Sequence, residues 1–388
     1  MKPIPYGYHC IDKKDMRAVL TVLKSPLITQ GPLIRKFEDA LARYCQAKYA
    51  VCVSSGTAGL HLACLSAGIG EGEEVITSPI TFAASANCIL YCGARPVFAD
   101  IHYDTGNIDA AQIKNKLSRK TRAVIPVHFA GHPCDLEAIH NIAKRRKIIV
   151  IEDATHALGA EYKGVKIGSC RYSDMAVFSF HPVKSITAGE GGAVLTNRKD
   201  LYELMLMLRN HGITKEKSKL QFAGRKFTAP WYYEQQVLGF NYRITDFQCA
   251  LGLSQLKKLD SFIRRRRRIA SEYNRFFSGR EGVSIPQEEV SARSAYHLYV
   301  IRLESAELRK HKSAIFKSLV SKKIYPQVHY IPVYWQPYYR DLGYDPGLCP
   351  NAEKFYESEI SLPIFPRMSA REIGYVKKMF LETVHKFL

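Results

Sequence analysis

Between Ala50 and Thr196 short, nearly continuous apolar runs alternate with stretches of helical periodicity, and this alternation restricts the architecture more than any other feature of the 388 residues. The runs are 50–53, 74–77, 96–99, 123–127, 148–151, 175–180 and 193–196. Val, Ile and Phe without polar alternation suit strands covered on both faces. Strands separated by helices require a mainly parallel sheet. The chain is therefore expected to be α/β, with a seven-stranded mixed sheet. The first five strands alternate with helices. The link between the last two is too short for an ordinary crossover helix, so one of that pair is expected to run antiparallel.

Ahead of the sheet, Asp12 followed by Met16, Val19, Leu20, Val22 and Leu23 predicts an amphipathic helix that ends at Ser25-Pro26. A second helix is expected over 33–44. Beyond about Asp246 the pattern changes to long helices, a strand over 296–303, a helix near 306–322 and a Tyr/Pro-rich loop over 325–339. This predicts a large domain over 1–245 and a smaller α+β domain over 246–388.

No apolar run approaches the ~18 residues of a membrane span, and the N-terminus lacks the apolar core of a secretion signal. A cytoplasmic protein without membrane insertion is expected. The 10 cysteines are scattered singly, with no C-x-x-C pair, as reduced core thiols are. His128 and His132 have metal-compatible spacing but flank a Phe-Ala-Gly turn, and no metal is expected. The excess of 56 basic over 36 acidic residues, +20, raises nucleic acid as a partner. Its strongest support is the arginine run 264–268. Consecutive helical residues point around more than a full turn and cannot form one phosphate-tracking face. A solvated helix stretch and no nucleic-acid partner are therefore expected.

Three stretches carry chemistry. Val53-Ser54-Ser55-Gly56-Thr57-Ala58-Gly59 runs from a strand end into a helix, where free N–H groups and the helix dipole attract an anion; capping accounts for the Ser and Thr equally well. Ile151-Glu152-Asp153-Ala154-Thr155-His156 ends an apolar strand in a carboxylate, the position over the ligand crevice of an α/β sheet. Over a pyridine ring, Asp153 would keep the nitrogen protonated and His156 would reach a phenolic oxygen; a helix cap and a core histidine are the alternatives. Lys184 follows the strand Phe178-Ser179-Phe180 in a Gly/Pro-rich turn, 31 residues after Asp153. Desolvation there lowers an amine's pKa and frees it for Schiff-base chemistry.

Glu152-Asp153-Ala154-x-His156, Ser179-Phe180-His181-Pro182-x-Lys184 and Gly239-x-Asn241-x-Arg243 with Gln248, Gly252 and Gln255 resemble the sugar aminotransferases of the DegT/DnrJ/EryC1/StrS family over nearly the whole chain. The resemblance implies a pyridoxal 5'-phosphate-dependent, fold type I (aspartate aminotransferase-like) homodimer with active sites at the subunit interface. It makes Lys184 the Schiff-base lysine, pairs Asp153 with the pyridine nitrogen and sets His156 by the phenolic oxygen. Ser179 and the amides of Gly56, Thr57 and Ala58 would bind the phosphate, joined by Asn241 of the partner subunit, and Phe82 would stack on the ring. L-glutamate is the implied donor and a UDP-linked keto-sugar, aminated at C4, the implied acceptor. Tyr6, Pro26, Leu27, Ile28 and Thr29, with Gln327, Val328, His329 and Tyr330, resemble the substrate-binding segments of the family's pseudaminic-acid branch. Members that deoxygenate carry histidine in place of the lysine, so Lys184 argues for amino transfer. The 212–240 stretch, with Trp231, Tyr232 and Tyr233, departs from the family pattern beside Asn241 and is expected to alter the pocket.

Overall fold

A computed structural model describes residues 2–222 and 229–388. Its principal sheet has seven strands: β1 (Tyr49–Val53), β2 (Glu74–Thr77), β3 (Arg95–Phe98), β4 (Thr121–Ile125), β5 (Ile149–Asp153), β6 (Met175–Ser179) and β7 (Gly192–Thr196), in the order β1-β7-β6-β5-β4-β2-β3. Strand β7 runs antiparallel to both its neighbours, and all other pairs are parallel. The antiparallel member of the last pair is thus β7. Its return from β6 needs no crossover helix, and the loop that makes it carries Lys184.

Several strand ends differ from expectation by a residue or two, and two of them do so for identifiable reasons. Strand β5 continues past Ile151 because Glu152 and Asp153 stay in register with Ala176 and Val177 of β6. Polar character at its tip reflects the site it serves. Strand β4 stops at Ile125 because Pro126 has no N–H for the ladder; Val127 makes only an isolated bridge to Asp153.

Both faces of the sheet are buried. Cys52, Phe178 and Leu195 pack with Phe37 and Leu41 of helix α1 (Pro32–Cys45). Val51, Val53, Val177 and Val194 pack against helix α2 (Gly56–Ser66). Helix α2 lies so close that a Cβ on Gly59 would meet Val177 Cγ1 at 2.9 Å. A second core joins helix α3 (Leu259–Phe277) to an antiparallel sheet of β8 (Val283–Ser284), β9 (Tyr299–Leu303) and β10 (Glu359–Leu362), with β9 central. The N-terminal arm enters this second core: Ile4 is buried in it, and Ile4–Pro5 pairs in parallel with Ile324–Tyr325. The helix expected over 306–322 is two, Ala306–Lys310 and Lys312–Ser321, separated at His311.

The arginine run is not simply solvated. Arg266 is 1% exposed and its Nη1 donates to the carbonyls of Tyr296, His297 and Ile364 at 3.3, 3.1 and 2.8 Å. Arg265 donates to the Met368 carbonyl, and Arg267 to Glu288 and the Ser294 carbonyl. Helix α3 buries Ile263 and Ile269 on its inner face, so one arginine between them must point inward. Burial lowers the Arg266 pKa to about 10, which leaves it charged at neutral pH. His128 and His132 also have structural duties. His128 accepts from the Cys134 N–H and meets Glu152 at 2.8 Å, while His132 accepts from the Glu289 N–H and lies 3.0 Å from Asn107 Nδ2. All 10 cysteines are free. No described helix is long and apolar enough to cross a membrane.

Candidate active site

The carboxyl ends of β5 and β6 and the amino end of α2 open onto a cavity of about 530 Å³, within the range of small-molecule sites. Asp153 and Ser179 reach it because they terminate adjacent parallel strands. Lys184 hangs over it from the β6–β7 loop, and Phe82 stands at its mouth, 64% exposed.

Asp153 is buried and held from two sides. Its Oδ2 accepts from Ser85 Oγ at 2.6 Å and its Oδ1 from the Thr155 N–H at 3.1 Å. Ser85 lies in the first turn of the helix Ala84–Tyr91, and its hydroxyl also meets Thr81 Oγ1 at 2.6 Å. Burial lowers the Lys184 amine to about 8 against the opposing pull of Asp153. Three histidines stand around it in neutral form. Burial and the nearby lysine hold His156 and His297 well below the ordinary imidazole range and His329 down to about 3. The His156 and His297 rings lie 4.3 Å apart, and His156 Nε2 is 3.3 Å from Tyr330 Oη. The Nδ1 atoms of both His156 and His297 are buried without a partner among the described residues.

At the other end of the cavity, Ser55 caps α2 by accepting the Ala58 N–H at 3.1 Å. Ala58 is thereby engaged and does not line the cavity; Gly56 and Thr57 do, with amide groups that have no partner among the described residues. Glycine is required at 56 because a Cβ would lie 2.9 Å from Ser179 Cβ. Unpaired amides at a helix start, with a serine beside them, make an anion cradle. A planar, anionic cofactor fits this set, with its anion in the cradle, its ring under Phe82 and its polar edges towards Asp153 and His156.

Tyr6, Gln327, Val328, His329 and Tyr330 form the opposite wall. The N-terminal arm brings Tyr6, whose carbonyl accepts from the Ile364 N–H at 3.0 Å. Pro26, Leu27, Ile28, Thr29 and Asn241 do not line this cavity. They lie together elsewhere: Thr29 bridges Thr245, Ile28 accepts the Asp246 N–H, Leu27 and Ile28 are about half exposed, and Asn241 is exposed. Within the 212–240 stretch Ile213–Thr214 pairs with Glu234–Gln235, and its two ends meet beside Asn241, where Asn210 bridges Asn241 and the His211 N–H donates to the Phe240 carbonyl at 2.9 Å; Trp231, Tyr233 and Leu238 are exposed, and 223–228 lie outside the described residues. Ser85, Thr81 and His297 were not anticipated from sequence. Ser85 sits in an apolar helix, and His297 in what reads as an ordinary strand.

Residues 9–380 match the DegT/DnrJ/EryC1/StrS aminotransferase family. The chain is 39% identical to a UDP-4-amino-4,6-dideoxy-N-acetyl-beta-L-altrosamine transaminase of Campylobacter jejuni, covering 99% of this chain and 98% of that protein. Among solved structures it is similar to Helicobacter pylori PseC, an aminotransferase of pseudoaminic acid biosynthesis, with TM-score 0.92, 34% identity and complete coverage of both chains. It is similar also to the PLP-form of a putative sugar aminotransferase, Spr1654, of Streptococcus pneumoniae, with TM-score 0.91, 31% identity and complete coverage of both. The fold is that of the fold type I pyridoxal-phosphate enzymes.

Proposed function

The chain belongs to the DegT/DnrJ/EryC1/StrS aminotransferase family and is a sugar aminotransferase, and on that premise we propose that it moves the amino group of L-glutamate to C4 of a UDP-linked 4-keto-6-deoxy-N-acetylhexosamine, a step of pseudaminic acid biosynthesis. The observation that carries the chemistry is Lys184, a desolvated amine held at about 8 within one cavity with Asp153 and an anion cradle. The sugar rests on the likeness to the Campylobacter and Helicobacter proteins, whose names specify that pathway and its altrosamine, and on a wall built from the expected Tyr6 and Gln327-to-Tyr330 segments.

Pyridoxal phosphate, when bound, supplies a ring that withdraws electrons from the carbon bearing the nitrogen. Lys184 is the residue that would carry it covalently. Gly56, Thr57 and Ser179 would hold its phosphate, Asp153 its ring nitrogen, His156 its phenolic oxygen and Phe82 its exposed face. The unpartnered amides of Gly56 and Thr57 and the orphaned Nδ1 of His156 match such a ligand.

Lys184 Nζ acts as base and then acid: it takes the proton from the donor's Cα in the first half-reaction and gives one to the sugar's C4 in the second. Asp153, fixed by Ser85 and Thr155, keeps a negative charge where a protonated ring nitrogen needs it. Tyr330 and His156 stay in mutual register through their 3.3 Å contact, and the histidine wall keeps water from Lys184. The chain is proposed to act as a homodimer in the cytoplasm. Asn241 and the Pro26-to-Thr29 turn then serve the partner subunit's cavity, and the exposed Trp231, Tyr233 and Leu238 beside them form apolar surface that an interface would cover.

The test is kcat/KM for the UDP-linked L-arabino 4-ketone against its D-xylo epimer, with NMR assignment of the aminated carbon. The L-arabino compound should be preferred, because inversion at C5 moves the methyl group and reorients the ring, and a hydroxyl or acetamido group turned away from its partners leaves them buried and unpaired at ~1–3 kcal/mol each. Preference for the D-xylo epimer, or nitrogen at C3, would replace this sugar with another nucleotide keto-sugar and leave amino transfer standing.

A further inference from the structure

Behind the cavity wall lies a buried carboxyl group with no role in the chemistry described above. Glu359 opens β10 at 0% exposure, and its Oε1 has no hydrogen-bond partner among the described residues. Its Oε2 accepts from Ser361 Oγ at 3.4 Å, and the same hydroxyl is 2.8 Å from His329 Nδ1. The ring of His329 lines the cavity, and its Nε2 has no protein partner among the described residues. A carboxyl, a hydroxyl and an imidazole therefore run in series from the interior of the small sheet to the site.

We propose that Glu359, Ser361 and His329 form a proton relay that ends at His329 Nε2, so that the protonation state of Glu359 decides whether His329 offers the bound sugar a donor or an acceptor. Each hydroxyl and each neutral imidazole has a single proton to donate, which makes the series directional. With Glu359 protonated, it donates to Ser361, Ser361 donates to His329 Nδ1, and the imidazole proton sits on Nε2 facing the cavity. With Glu359 ionised, Ser361 donates to the carboxylate, His329 Nδ1–H donates to Ser361, and Nε2 presents its lone pair. The protonated series holds three relay protons and the ionised series two; the proton lost leaves from Nε2 into the cavity. The imidazole is neutral in both states.

The groups that face the relay are consistent with this. Lys312, from the helix Lys312–Ser321, attracts the Glu359 carboxylate, and the His329 backbone N–H and Ser361 also favour ionisation, yet burial outweighs them and raises Glu359 to about 8. Arg302, its register partner on β9, sends its guanidinium to Asp104 instead. Tyr330 is adjacent and stays neutral, its pKa raised by burial with Tyr6, Asp153 and Glu359 adding to the shift. His329 is faced by Lys184, Tyr6, Tyr330, His156 and His297, and burial with the lysine keeps it from becoming imidazolium.

Glu359 and Ser361 act here as positioning residues, and their role rests on the assignment of this cavity as the sugar site. The decisive measurement is ¹⁵N NMR of histidine-labelled holoenzyme between pH 6 and 10, with the His329 signal assigned by its loss in His329→Gln. In the wild type, Nε2 should change from the protonated to the lone-pair type near pH 8, with Nδ1 changing in the opposite sense. Glu359→Gln and, independently, Ser361→Ala should abolish the exchange while leaving His329 neutral. The KM for the nucleotide sugar should change about tenfold, the value of one hydrogen bond, across the same range in the wild type and stay flat in both variants. An unchanging wild-type signal, a change to imidazolium, or a wild-type exchange in both variants overturns the relay. The NMR readout holds even if no nucleotide sugar proves to be a substrate, so failure of the relay and failure of the substrate assignment are separable.

Discussion

Replacing Ser85 with alanine isolates the support of the carboxylate from the carboxylate itself. In the structure Ser85 Oγ lies 2.6 Å from Asp153 Oδ2, and Ser85 is 0% exposed. Thr81 Oγ1 is 2.6 Å from the same hydroxyl, so Thr81 donates to Ser85 and Ser85 to Asp153. A hydrogen bond to a charged group contributes about 1.5–3 kcal/mol, or ten- to a hundredfold in an equilibrium constant at ~1.4 kcal/mol per decade. The Thr155 N–H, at 3.1 Å, remains on the other oxygen, which places the expected loss at the lower end. Ser85→Ala should therefore weaken cofactor binding about tenfold, measured by absorbance titration of cofactor-free enzyme, and lower kcat by a similar factor. Thr81→Val should give a smaller loss of the same kind. In an Asp153→Asn background, Ser85→Ala should cost much less, since the charge it supports is gone. If Ser85→Ala binds and turns over within twofold of wild type, the hydroxyl is packing and not support.

Lys184→Met should abolish turnover, and in cofactor-free protein it should also alter the pH dependence of stability. Lys184 is held at about 8 when folded against ~10.4 unfolded; between those values the unfolded chain binds more protons, so wild-type stability should gain a rising term through that window that the variant lacks, as urea melts at pH 7.5 and 10 would show or deny. Mixing Lys184→Ala with Asn241→Ala chains should partly restore activity by creating one intact site per mixed dimer; no recovery after demonstrated subunit exchange places both residues in one chain's site. Arg266→Met removes the donor shared by the Tyr296, His297 and Ile364 carbonyls and should cost about 2–4 kcal/mol in denaturant unfolding, whereas a change below ~0.5 kcal/mol would mean the carbonyls find other partners.

The parts of the site that were legible from the sequence are those whose neighbours are also neighbours along the chain. Asp153 at a strand tip, Lys184 in a Gly/Pro turn and the small residues entering α2 declare themselves by local pattern. That one of the last two strands runs antiparallel was legible from the length of one loop; that it is β7 came from the pairing itself. Ser85, His297, Glu359 and Ser361 were not, because their significance comes from topology: Ser85 is 68 residues from Asp153, and Ser361 is 32 from His329. The arginine run misled in a different way. Charge suggested solvent, but a helix that packs an apolar face cannot keep five consecutive residues outside, and the carbonyls that receive Arg266 come from residues 30, 31 and 98 positions away. Strand ends moved where polar residues kept the ladder, as at Asp153, or where proline broke it, as at Pro126.

The N-terminal arm has a consequence for the order in which the molecule is made. Ile4 finds its strand partner at Ile324, and the Tyr6 carbonyl finds its donor at Ile364. During synthesis Ile4 and Tyr6 must wait for residues 324 and 364 to leave the ribosome, while the principal sheet, complete by Thr196, is free to form in the interval. The wall that carries Tyr6 is thus among the last parts to be assembled. A nascent or truncated chain ending before residue 324 would own the anion cradle, Asp153 and Lys184 but no closed substrate pocket, a half-built site open to water.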